Sequence, residues 1–231
     1  MRLQAPSASA LALLMLFGAG CASAPAPSPA STDAKEVVVP PSSASSSSMP
    51  SQPKLAFPGI LPASDVNKKV HIKTNHGDIV VQISRDMGPN AASNFIYLVK
   101  HHFYDGTVFH RVIPGFMIQG GDPLGTGTGG PGYQFPNDEV KKMPTKKISV
   151  QGRAYEGPVY EDGWLAMANA GRDTNGSQFF IMVGDYPLPP DYSVFGKVVS
   201  GLTVAHKIAD LPRNGSDRPN EEVKMISVAI E

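Results

Sequence analysis

Cysteine is nearly absent. Cys21 is the only one in 231 residues, which excludes an intramolecular disulfide framework and any multi-cysteine metal site. Net charge is absent as well: Lys+Arg and Asp+Glu number 20 each, so the electrostatic balance gives no case for nucleic acid or an anionic surface as partner. The unbroken apolar run Ala10–Phe17 is too short to span a bilayer. Strands and helices do not alternate regularly, which argues against a parallel sheet. What the chain has in excess is glycine and proline, 23 and 22 residues, and the two are segregated. Proline crowds the N-terminal part and glycine crowds residues 115–132.

The first segment reads as an address. Arg2 precedes the run Ala10–Phe17, which suits the hydrophobic region of a secretory signal. Gly18-Ala19-Gly20-Cys21 follows and resembles the lipobox of bacterial lipoproteins, with Gly18 where that family usually has Leu or another aliphatic residue. The resemblance implies removal of residues 1–20 and a lipid on Cys21, anchoring the protein in the bacterial envelope, facing the periplasm or the cell exterior. The alternative is a cut near Ala22-Ser23-Ala24, which discards Cys21 and gives a soluble periplasmic or secreted protein. Residues 21–65 are rich in Ala, Pro and Ser, with a polyserine run at Ser45–Ser48. Such a composition cannot bury enough apolar surface to offset its ordering entropy, so a disordered tether is expected there.

The character changes at Val66. Val70 and Ile72, then Ile79, Val81 and Ile83, alternate with polar residues about the turn Asn75–Asp78, which predicts a hairpin of half-buried strands. Pro89-Asn90 opens a helix with Ala92, Phe95, Leu98 and Val99 on one face, ending near His101-His102. Trp164–Ala168, Gln178–Val183, Val194–Val199 and Val223–Ile230 read as strands, and Thr203–Leu211 as a second short helix before Pro212. Many short strands with two helices predict a closed antiparallel barrel for residues 66–231. Gly125-Thr126-Gly127-Thr128-Gly129-Gly130 has the spacing of a dinucleotide fingerprint, but Pro131-Gly132 prevents the helix that such a site needs. It reads as a glycine loop. Ser177 lacks a G-x-S-x-G setting, which argues against a serine hydrolase.

The central stretch is Phe109–Asp122, F-H-R-V-I-P-G-F-M-I-Q-G-G-D. Pro114-Gly115 suits a type II turn between two short strands, one carrying Arg111 and the other Phe116 and Met117. His110 adjoins Arg111 and is expected on the opposite face, as a structural residue. Together with M-A-N-A-G at Met167–Gly171, T-N-G-S-Q-F-F-I at Thr174–Ile181 and V-F-G-K-V at Val194–Val198, this stretch resembles the cyclophilins in block order and spacing. The resemblance runs from about Val66 to the C-terminus. It implies a mainly β fold, an eight-stranded antiparallel β-barrel capped by two α-helices, and peptidyl-prolyl cis-trans isomerase activity without metal or cofactor.

Carried over by position, the resemblance makes Arg111 the catalytic arginine and Phe116, Met117 and Phe180 walls of a proline pocket, with Leu188 a further wall. Gln119 and Asn169 become groups that hydrogen-bond the substrate backbone, Asn169 through its main chain. Ala168 and Gln178 line the same groove. Phe179 and Phe180 adjoin and face opposite ways in a strand; only the resemblance assigns Phe180 to the groove. Asp185–Tyr192 is one residue shorter than in common eukaryotic members, with Tyr192 where a pocket histidine often stands and no tryptophan, so tight cyclosporin binding is not expected. The implied partners are proline-containing unfolded or exported polypeptides and, through the lipid on Cys21, a membrane. The protein is expected to be a monomer. A rival reading is a proline-peptide-binding or chaperone module with the groove present and turnover lost.

Overall fold

A computed structural model describes residues 55–140 and 142–231. The expected signal, Cys21 and most of the expected tether lie outside the described residues. The elements in chain order are α1 (Ala63–Val66), β1 (Lys69–Thr74), β2 (Gly77–Ile83), α2 (Pro89–Lys100), β3 (Arg111–Ile113), β4 (Met117–Gly120), β5 (Thr145–Val150), β6 (Arg153–Pro158), β7 (Trp164–Met167), β8 (Phe179–Met182), β9 (Val194–Ser200), α3 (Leu202–Ala209) and β10 (Met225–Ile230).

Alternation makes the first hairpin. Val70, Ile72, Ile79, Val81 and Ile83 are fully buried, and the residues between them are not. The helix α2 begins with Pro at its first turn, where no intrahelical N–H is lost. Its free N–H groups are met from a distance: Asp138 accepts from Asn90 N at 3.0 Å and Ala91 N at 2.8 Å. A carboxylate there satisfies orphan donors and complements the helix dipole. The buried face of α2 sets Phe95 among Tyr104, Phe179 and Phe195, with ring centroids 5.1–5.3 Å apart.

Eight strands form one antiparallel sheet in the order β10-β1-β2-β9-β7-β8-β4-β3. The expected mainly β sheet is present, and within its ladders β3 and β10 are edges that do not pair with each other. The segment between α2 and β3 intervenes. Gly106 N donates to Met225 O, Met225 N to Thr107 O and Phe109 N to Val223 O, each at 2.8 Å, and Val108 bridges both Asp122 and Lys224. The last strand begins at Met225, where pairing with β1 starts, and not at Val223 as expected. A third helix, the single turn α1, adds to the two expected. The hairpin β5–β6 was not expected; it turns through Gln151-Gly152, both at positive φ, as a two-residue hairpin turn requires.

Residues 55–65, which composition assigns to the tether, pack on the domain. Phe57 stacks on Phe135 at 5.0 Å and Leu61 N donates to Ser93 Oγ at 2.9 Å. Three apolar side chains, Leu55, Phe57 and Leu61, find core partners there, and a composition average over an Ala/Pro/Ser tract conceals them.

Candidate active site

Register decides which side chains meet. Arg111 stands opposite Gln119, Gln119 opposite Phe180, and Phe180 opposite Ala166. Directly opposed residues share a face, so these four make one row across β3, β4, β8 and β7. Two residues along, Ile113, Met117 and Met182 make a second row on that face. The row between them, Val112, Ile118, Ile181 and Leu165, points the other way into the main core. Phe179 and Phe180 divide as adjacent strand residues must. Phe179 packs on Phe95, Tyr104 and Phe109, whereas Phe180 joins a second apolar cluster with Met117, Ala166 and Met182. Phe116, Ala168, Leu188 and Tyr192 surround this second cluster, half-buried.

Arg111 borders that cluster with a side chain 43% exposed. The turn that sends the chain back past it has Gly115 at φ 67°, the left-handed conformation a type II turn needs at its second central residue. Its Nε lies 3.5 Å from Asp217 Oδ2, and among the described residues no group takes its Nη1 or Nη2. The donor fork is therefore available beside an apolar patch.

On the far side of Gln119 the surface becomes polar. Gln119 Nε2 donates to Gln178 Oε1 at 3.0 Å, and Gln178 Nε2 donates to the carbonyls of Gly127 at 3.0 Å and Gly129 at 2.9 Å. These groups border a groove of about 850 Å³ that Ala168 and Asn169 also line. The side chain of Asn169 is occupied with Asp191 O at 2.9 Å, while among the described residues its own main-chain N–H and carbonyl carry no hydrogen bond. So the predicted residues fall into two groups that meet at Gln119: an apolar patch with the arginine, and a polar groove with free backbone.

The glycine loop owes its shape to Asp122, which the sequence reading did not single out. This carboxylate is fully buried and accepts from Leu124 N at 2.7 Å, Thr126 N at 3.0 Å and Gly127 N at 2.6 Å. Burial pushes its pKa up, but the N–H groups of Leu124, Gly129, Gly127 and Thr126 outweigh it and leave the pKa below the usual value. Gly129 must be glycine, because a Cβ there would lie 1.9 Å from Asp122 Oδ1. The loop thus turns its amides inward onto a carboxylate, the reverse of a phosphate cradle. Ser177 is likewise structural, its Oγ donating to Gly121 O at 2.7 Å in the interior.

The family model described as cyclophilin type peptidyl-prolyl cis-trans isomerase/CLD matches residues 69–230. The chain belongs to that family. It is 39% identical over 164 residues to the peptidyl-prolyl cis-trans isomerase ppi1 of Schizosaccharomyces pombe, covering 68% of this chain and 95% of that one. It is 40% identical over 182 residues to the probable peptidyl-prolyl cis-trans isomerase A of Mycobacterium leprae, covering 71% and 92%. The probable isomerase B of Mycobacterium tuberculosis is longer; 40% identity over 186 residues covers 77% of this chain and 59% of that protein. A crystal structure of a Cryptosporidium parvum cyclophilin type isomerase superposes with a TM-score of 0.61 at 33% identity, covering 71% of this chain and 97% of that one. The mainly β fold and the peptidyl-prolyl cis-trans isomerase activity follow from this membership.

In this cyclophilin the segment Asp185–Tyr192 is held by a buried tyrosine. Tyr160 and Tyr186 exchange main-chain bonds at 2.9 and 3.0 Å, and the Tyr160 hydroxyl donates to Tyr192 O at 2.9 Å. Tyr186 in turn packs its ring 4.4 Å from that of Phe116, and Tyr192 meets Phe180 edge-on at 5.7 Å. Trp164, in a different sequence block from the rim, packs against Tyr160 within the same cluster. No local pattern records the bonds from Tyr160 to Tyr186 and Tyr192, 26 and 32 residues away, or the contact of Phe116 with Tyr186 across 70.

His110 is buried, and among the described residues its Nδ1 makes no hydrogen bond. Burial lowers its pKa; Asp122 opposes this, and Arg218 and Arg111 reinforce it. With the folded-state pKa below the unfolded value near 6.5, the unfolded chain binds more protons between the two, so stability rises with pH through that window and levels off above about 6.5. His110→Leu is expected to flatten this slope. Urea midpoints taken between about pH 5 and 7.5 check it; equal slopes in both proteins would assign the dependence elsewhere.

Proposed function

We propose that this isomerase turns X-Pro peptide bonds of exported polypeptides outside the cytoplasm, tethered to a bacterial envelope membrane through a lipid on Cys21 and acting as a monomer. The observation that carries the mechanism is the row Arg111–Gln119–Phe180, which sets an unoccupied guanidinium fork beside a half-open apolar patch. The proline ring lies on Phe116, Met117 and Phe180, with Leu188 and Tyr192 closing the far edge. Burying such a ring contributes roughly 1.5–3 kcal/mol, enough to hold it while the chain on the other side turns. Gln119 and the main chain of Asn169 fix the flanking backbone, and the groove by Ala168 and Gln178 takes the neighbouring residues. Arg111 donates to the twisted amide. The related Cryptosporidium structure obtained in the presence of the dipeptide Ala-Pro is in keeping with a proline-peptide ligand. The bonds across the seam between Gly106–Phe109 and Val223–Met225 favour a sheet closed into a barrel, with the substrate face on its outside.

Exchange spectroscopy on an X-Pro peptide with the purified chain is the direct test. Acceleration of cis-trans exchange is expected; binding without acceleration would leave a peptide-binding module. For the anchor, Cys21→Ser should release the protein from the membrane fraction, and a variant that stays there would overturn the lipid attachment.

A further inference from the structure

Among the described residues Arg111 makes one ion pair, and its partner is held with unusual care. Asp217 sits at φ 60°, a left-handed conformation that a non-glycine residue adopts rarely and that Asp and Asn tolerate best. Its main chain is tied at both ends: Val112 N donates to Asp217 O at 2.8 Å, and Asp217 N donates to Asn214 O at 3.1 Å. The first of these bonds locks the loop to the residue that follows Arg111. Asn214 closes the loop, its Oδ1 accepting from Ser216 N at 2.9 Å and Arg218 N at 3.1 Å. The Asp217 carboxylate then lies between two guanidinium groups, with Oδ2 3.5 Å from Arg111 Nε and Oδ1 3.3 Å from Arg213 Nε. Arg218 turns aside, its Nη1 donating to Gly125 O.

We infer that Asp217 is the positioning residue for Arg111, steering the guanidinium through Nε so that Nη1 and Nη2 face the peptide. The inference rests on the reading of Arg111 as the catalytic donor. A long, half-exposed arginine carries considerable rotamer freedom, and ordering it only in the twisted state would subtract from its effect. A carboxylate 3.5 Å from Nε restricts that freedom without occupying the outer edge. It does not quench the site either, because two guanidinium groups share one carboxylate and one net positive charge remains. Arg213 is therefore a counter-charge that keeps Asp217 from neutralising Arg111.

The test is a double-mutant cycle on the full chain with Arg111→Lys, Asp217→Asn and both together. Exchange spectroscopy on an X-Pro peptide gives the bound-state exchange rate and the affinity separately. Asn keeps the left-handed backbone and the shape of the side chain, so thermal unfolding is expected to be nearly unchanged. Asp217→Asn should slow bound exchange by about 5-fold, the scale of a partly exposed ion pair, with little change in affinity. On the Arg111→Lys background it should cost nothing further. The same loss on both backgrounds, a loss confined to affinity, or no loss in Asp217→Asn would overturn the assignment. If Arg111→Lys itself leaves exchange intact, the catalytic reading of Arg111 fails, a result separate from the other three.

Discussion

Arg111→Ala is expected to slow bound-state X-Pro exchange roughly a hundredfold to a thousandfold while weakening peptide binding far less. The asymmetry follows from the reaction. A planar X-Pro amide faces a rotation barrier of roughly 18–20 kcal/mol because twisting destroys its resonance. No bond is made or broken, so a nucleophile or a tuned proton donor contributes nothing. As conjugation is lost, the proline nitrogen becomes a better hydrogen-bond acceptor, and a donor aimed at it binds the twisted form more tightly than the planar one. Only that difference accelerates the reaction. A preorganised donor of this kind is worth about 2.7–4 kcal/mol, which converts to a loss of roughly a hundredfold to a thousandfold. Arg111 meets the requirements in this structure: permanent charge, a planar fork with Nη1 and Nη2 unoccupied, and a cross-strand position beside Gln119. Lysine keeps the charge and loses the fork, so Arg111→Lys should fall between wild type and Ala. Parallel losses in exchange rate and affinity would reduce Arg111 to a binding group.

Much of this site was legible in the sequence, and the part that was not shares a physical cause. Period-two alternation located β1 and β2, because burial on one side of a sheet leaves that mark. It showed that Phe179 and Phe180 diverge but not which one enters the core, since both are apolar and nearly fully buried. Only the ladder from Gln119 decides that. Asp138 capping α2, Tyr160 supporting Asp185–Tyr192 and Asp217 on Arg111 all act across 26 or more residues, and no local pattern records such contacts. The hairpin β5–β6 escaped for the opposite reason: its alternating face is only half-buried, so its hydrophobic signal is weak.

Asp122→Ala is expected to cost the fold about 3 kcal/mol and to disable the polar half of the groove. The substitution leaves the N–H groups of Leu124, Thr126 and Gly127 without their buried acceptor. Each unsatisfied donor costs roughly 1–3 kcal/mol, and the loop escapes part of that only by opening to water. Opening carries the carbonyls of Gly127 and Gly129 away from Gln178, whose amide then no longer holds Gln119. Thermal unfolding should fall by about 6–12 °C for a domain of this size, and peptide affinity should fall with it. Asp122→Asn retains one acceptor oxygen in the same place and should lose roughly half as much. The pH dependence separates charge from shape. Because the folded-state pKa of Asp122 lies below its unfolded value, its contribution is complete above about pH 4 and disappears as pH falls through the folded-state value. The wild-type chain should therefore lose stability over that acid range, and the Asp122→Asn chain should lose less. If Asp122→Asn matches wild type in both unfolding midpoint and acid slope, the loop is held by its glycines alone and the carboxylate is incidental.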